Sequence, residues 1–194
     1  MTTPAQVKEL RAMTGCGIVE CKEALDEADG NVDQAVALLR KKGVIKAAKK
    51  SSRETAEGVI SSYVHTNGKV AVLVSLLCET DFVARNETFQ ELAKNIALHV
   101  AAMDPQVVSP EDVPDNDVAA EREIAEELAG KSGKPAEIQK KIIEGKLASF
   151  RAERALMTQS FVKEPDKTIE QLIQAAVQEL GENISVKEFA RLSI

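Results

Sequence analysis

The chain of 194 residues has no tryptophan, one tyrosine (Tyr63) and five phenylalanines. Its core must therefore be aliphatic, and a surface for stacking nucleobases is poorly supplied. There are only three cysteines, an odd number without the spacing of a disulfide framework, which points to a reducing compartment. The two histidines, His65 and His99, do not complete a four-ligand zinc set with Cys16 and Cys21, so no metal site is expected. Positive charge is in deficit, with 25 Lys and Arg against 31 Asp and Glu and a net charge of −6. That balance disfavours broad binding to nucleic acid or to anionic lipid. The longest apolar runs, such as residues 70–78, fall far short of the ~20 residues of a membrane span. No targeting segment of basic then apolar residues is read at the start, so a cytoplasmic protein is expected. Phosphate-loop, dinucleotide and nucleophile-elbow motifs are missing too.

The residues that are present predict an α+β protein. Residues 1–43 read as three short helices. Thr3 is the expected N-cap of the first, with Pro4 at its first position, and 14–17 (Thr-Gly-Cys-Gly) ends it. Ile18, Cys21, Leu25 and Ala28 recur at helical spacing up to Gly30, and Asn31 caps a third helix that is expected to stop at Gly43. Residues 44–57 are expected to form a linker. The surrounding stretch 40–53 holds Arg40, Lys41, Lys42, Lys46, Lys49, Lys50 and Arg53 and no acid. Its plain reading is a solvated face or linker; its functional reading is an acidic patch on a partner protein.

An α+β core is expected from 58–112 and 158–194. Two strand-like runs flank Asn67-Gly68, a strong hairpin signal because both residues accept positive φ. In the second run Val70, Val72, Val74, Leu76 and Cys78 share one face, while Ala71, Leu73 and Leu77 share the other. A strand apolar on both faces is covered on both, so a second subunit is expected over one of them. Phe89, Leu92, Ala93, Ile96, Ala97 and Val100 form a helical stripe. His99 lies just off that stripe. Residues 113–157 read as a projecting antiparallel helical hairpin, its second helix turning Ile138, Ile142, Phe150 and Leu156 inward. Thr168 and Gln171 form a capping box for a further helix, and Ile184, Val186, Phe189 and Leu192 read as a strand of imperfect alternation.

Between strand and helix stands Thr80-Asp81-Phe82-Val83, a bulky apolar residue beside an acid in a loop. One reading folds Phe82 back onto the core with Asp81 capping the turn. The other makes Phe82 a projecting wedge. Burying a Phe in a partner is worth ~1.5–3 kcal/mol, enough to bias a two-state partner about tenfold.

The order of three-helix module, basic stretch, hairpin and Thr-Asp-Phe loop resembles the bacterial translation elongation factor Ts family. The matching stretches are 7–11 (Val-Lys-Glu-Leu-Arg), 14–17, 21–25 (Cys-Lys-Glu-Ala-Leu), 45–50 (Ile-Lys-Ala-Ala-Lys-Lys), 80–84 (Thr-Asp-Phe-Val-Ala) and Phe161-Val162. The resemblance implies a guanine-nucleotide exchange factor for elongation factor Tu, not an enzyme of covalent chemistry. It implies a ubiquitin-associated-like N-terminal domain that docks through Ile18, Val19 and Lys22. It implies that Thr80, Asp81, Phe82 and Val83 intrude near the partner's Mg²⁺ site, so that GDP leaves, and that His65 meets a second region of the partner. No cofactor is implied beyond the GDP and Mg²⁺ that the partner holds. The chain resembles the short form of the family, which implies a homodimer binding two Tu molecules. Three rival readings are a binding module without exchange activity, an enzyme of another class using Cys78, His65 or His99, and a nucleic-acid binder using residues 40–53.

Overall fold

The computed structural model describes residues 2–194. Met1, at the start of the expected first domain, and the Lys46 side chain, in the expected linker, lie outside that description. Among the described residues there are eight α-helices, a three-stranded antiparallel sheet and a two-stranded one. Among the described residues no helix is long and apolar enough to cross a membrane.

The first three helices are α1 (Pro4–Thr14), α2 (Ile18–Glu27) and α3 (Val32–Lys50). Thr3 caps α1 in a reciprocal box with Gln6, and Asn31 accepts the Gln34 N–H to open α3. Leu10, Cys21, Ala24, Leu25, Ala35 and Leu39 fill a small core among them. The expected stop at Gly43 and linker over 44–57 are corrected here, because α3 runs on to Lys50. Residues 44–50 are mostly good helix formers, and a neighbour supports the extra turns. Position 43 faces the end of the Gln178 side chain, a Cβ there lying 3.2 Å from Gln178 Cδ, and α3 packs on α8 (Ile169–Leu180) along this stretch. Lys50 Nζ then donates to the Gly181 carbonyl at 2.6 Å, and Ala47 packs on the main core. Several of the basic residues therefore sit on a docked helix rather than on a free strap.

The main sheet has the order β1 (Glu57–Val64), β2 (Val70–Cys78), β5 (Ile184–Ser193), with both pairings antiparallel. The connection at Asn67-Gly68 differs from the expected turn. Only Gly68 has positive φ; Asn67 instead accepts the Lys69 N–H through Oδ1, and Gly68 N–H closes onto the His65 carbonyl. On the inner face Val72, Val74, Leu76 and Cys78 are buried against α5 (Glu87–Met103) and α8. The imperfect alternation of β5 has a local cause. Ser75 pairs with Glu188 and Leu76 with Val186, so Lys187 is an extra, unpaired residue. That bulge reverses parity: Val186 points inward before it, and Leu192 points outward after it.

Helices α6 (Asp115–Gly130) and α7 (Ala136–Arg154) pack on each other as the expected hairpin. The inward set on α7 is corrected. Ile138 is exposed and Ile142 half-buried, whereas Leu147, with Ile143 and Phe150, packs on Val113 and Val118. Leu156 follows the helix and enters the main core. Two short strands, β3 (Ser160–Phe161) and β4 (Glu164–Thr168), pair antiparallel before α8.

Candidate functional site: a clamped, exposed loop

The strand β2 ends at Cys78, and the chain reverses into α4 (Asp81–Ala84), a single turn. Thr80 is extended and caps this turn, its hydroxyl accepting the Val83 N–H. Val83 packs inward and Ala84 is buried, so the turn is seated on the core. Phe82 points the other way and is 81% exposed. Folding back onto the core is therefore the wrong reading of Phe82. Asp81 beside it pairs with Arg85 at 2.9 Å, one helical turn on.

A residue 102 positions away from Thr80 holds the loop. Glu182, in the turn between α8 and β5, accepts the Glu79 N–H at 3.1 Å and the Thr80 N–H at 3.0 Å on one oxygen. Its other oxygen accepts the Thr80 hydroxyl at 2.6 Å. Glu79 answers by accepting the Asn183 N–H at 2.6 Å. That hydrogen bond first, and the Arg53 charge after it, hold the Glu79 carboxyl below the usual range. Nothing in the sequence marks Glu79, Glu182 or Asn183, and Arg53 stands out only as the end of the basic stretch 40–53. Each reads as an ordinary surface polar residue, and nothing in the local pattern links them.

The remaining candidate residues lie elsewhere. Ile18, Val19 and Lys22 are all exposed on the first turns of α2, and the two apolar members are 58% and 68% exposed. His65 lies at the opposite end of β2 from the loop, and nine strand residues separate the two by about 30 Å. Its Nδ1 is 3.0 Å from the Tyr63 hydroxyl. The structure thus presents three separate surfaces rather than one pocket.

Apart from the exposed His65, the groups considered for chemistry are internal. Cys78 is buried, its thiol donating to the Thr80 carbonyl at 3.2 Å, and burial pushes that thiol up to about 11. Such a thiol is a poor nucleophile. His99 is not off the apolar stripe but wholly buried, bonded through Nε2 to Gln159 at 3.1 Å. Its Nδ1 accepts the Val162 N–H at 3.2 Å. Burial lowers its pKa. Cys16 and Cys21 are buried as well. Among the described residues no group of three or more His, Cys, Asp or Glu side chains converges on a metal-sized position.

Comparison with known proteins spans the segment that carries this loop. The family model described as elongation factor TS matches residues 5–194. The elongation factor Ts of Thermosipho melanesiensis is 52% identical over 194 residues, covering 100% of this chain and 99% of that protein. The elongation factor Ts of Geobacter sulfurreducens is 51% identical, covering 97% of this chain and 88% of that protein. That of Fervidobacterium nodosum is 52% identical, covering 97% and 95%. A match running from the first helix through the clamped loop to the last strand, at about half identity, shows that the chain belongs to the elongation factor Ts family.

Proposed function

We propose that the chain is a guanine-nucleotide exchange factor of translation elongation, acting on elongation factor Tu in the cytoplasm. The observation that carries the reading is the exposure of Phe82 on a turn whose own backbone is capped and clamped. A rigid apolar plug with a carboxylate beside it suits intrusion between helices of a partner. In this reading Asp81 and Phe82 enter next to the nucleotide, with Thr80 and Val83 fixing their direction, and disturb the Mg²⁺ and phosphate contacts. GDP then leaves and GTP enters. A factor that binds the nucleotide-free state best weakens nucleotide by the same coupling, so exchange is accelerated without changing its end point. No covalent step is needed, and no cofactor of the chain's own takes part beyond the GDP and Mg²⁺ held by Tu.

The three-helix module α1–α3, read as ubiquitin-associated-like, docks on the same partner through Ile18, Val19 and Lys22. Their joint exposure on one end of α2 supports this. His65, about 30 Å from the wedge along β2, touches a second region of the partner.

The short form acts as a homodimer with two Tu molecules. Support comes from the outer sheet face, where Ile60 is 74% exposed, Val64 65%, Leu73 51% and Leu192 75%. Four large apolar side chains on one open sheet face make a patch that a second copy would cover.

Stopped-flow release of a fluorescent GDP from elongation factor Tu tests the reading, with the unmutated chain and with Phe82→Ala. Acceleration that is largely lost in the variant supports the function and the wedge together. Acceleration that survives moves the mechanism to the other contacts, and no acceleration leaves a binding module.

A further inference from the structure

We infer that Glu182 is a positioning residue for the Asp81-Phe82 wedge, an inference that rests on the exchange reading above. The wedge needs an anchor from outside its own segment. Helix α4 is four residues long, too short to hold itself. Phe82, being 81% exposed, adds almost nothing to its own placement. Val83 and Ala84 fix the turn from below. The N-terminal entry to the turn, at Glu79 and Thr80, is fixed by the Glu182 carboxylate.

All three of its hydrogen bonds fall on that entry. Two come from consecutive backbone N–H groups, which sets the direction of the chain, and the third from the Thr80 hydroxyl. The same hydroxyl oxygen accepts the Val83 N–H at 3.4 Å, so the carboxylate reaches the first turn of α4 through one atom. Bonds to a charged acceptor are stronger than neutral ones. The clamp is also reciprocal, since Glu79 accepts the Asn183 N–H.

The turn holding Glu182 is tied in its own right. Asn183 Nδ2 donates to the Arg53 carbonyl at 2.9 Å and to the Ser51 carbonyl at 3.4 Å, and Lys50 Nζ donates to the Gly181 carbonyl at 2.6 Å. These contacts fasten the exit of α3 to the turn that clamps the wedge. Residues 181–183 thus join the packing of α3 on α8 in fixing how the N-terminal docking face and the wedge stand relative to each other.

The test uses Glu182→Ala and Glu182→Gln in the full chain, with two readouts. The first is amide hydrogen exchange at 79–83 in the free protein. The second is GDP release from elongation factor Tu as a function of chain concentration. Alanine is expected to speed amide exchange at Thr80 and Val83, and to lower the maximal release rate, each by about tenfold. The half-saturating concentration is expected to stay within about twofold, because Ile18, Val19, Lys22 and the Phe82 side chain remain. Glutamine is expected to fall between, since its amide oxygen still accepts the two backbone N–H groups, and it keeps the test readable where alanine unfolds the chain. Unchanged amide protection overturns the clamp. Lost protection with an unchanged maximal rate overturns the positioning role. An unmutated chain that leaves GDP release unchanged overturns the exchange reading instead, and amide protection then still decides whether Glu182 holds the loop.

Discussion

Gly58 of β1 lies directly against the carbonyl of Leu76 in β2. A Cβ at position 58 would run into that oxygen and would sit 2.8 Å from Leu77 Cα. The backbone there has φ +158°, which side chains rarely adopt. Both obstacles are backbone, so no rotamer change relieves them. Gly58→Ala is expected to destabilise the chain by ~2–4 kcal/mol, seen as a lower urea midpoint at unchanged slope. A midpoint equal to that of the unmutated chain would show that β1 shifts freely along β2.

Phe82 is expected to be silent in folding. Removing an 81% exposed ring takes away no packing of the core. Phe82→Ala should leave unfolding within about 0.5 kcal/mol of the unmutated chain while GDP release from the partner collapses. A large loss of stability would mean that the ring belongs to the core in solution.

His99 makes stability depend on pH in one direction. Buried between Gln159 and the Val162 N–H, with its pKa lowered from 6.5, it is held neutral. The unfolded chain binds the proton more readily. The contribution is therefore fully present above 6.5 and is lost as pH falls through 6.5 towards the lower folded value. Urea unfolding at about pH 7.5 and about pH 5.5 checks this, with His99→Gln as the control whose acid-side loss is smaller. Equal losses in both proteins would place the titrating group elsewhere.

The outer sheet face predicts the oligomeric state. Leu73 sits mid-sheet between Ser62 and Ala190 and is 51% exposed. Leu73→Lys puts an unpaired charge at the centre of the patch and is expected to turn a dimer into a folded monomer in sedimentation. A monomer already present without the substitution, across a wide concentration range, would remove the dimer from the proposal.

Much of the architecture was legible because its signals act between near neighbours. The N-cap at Thr3, the capping box at Thr168, the apolar stripe of α5 and the inner face of β2 each rest on residues a few positions apart, and all four stand as read. The hairpin was legible in place but not in form. Asn67 uses its side chain where positive φ was expected, because the connection has room for a turn followed by Gly68. Ile138 misled because hairpin helices touch along a narrow seam, and which of several apolar residues lies on that seam depends on the partner helix.

The sequence by itself determined the family, the N-caps of α1, α3 and α8 and the aliphatic character of the core. Each of these follows from residue type and short spacing. Only the tertiary structure decided that Phe82 faces solvent, that α3 passes through Gly43, that Lys187 bulges and that Glu182 holds Thr80. These depend on segments that meet across long stretches of chain, where a lone acid or glycine carries no local mark of its partner. Position 182 reads as a surface glutamate until α8 and β5 fold its turn against the end of β2.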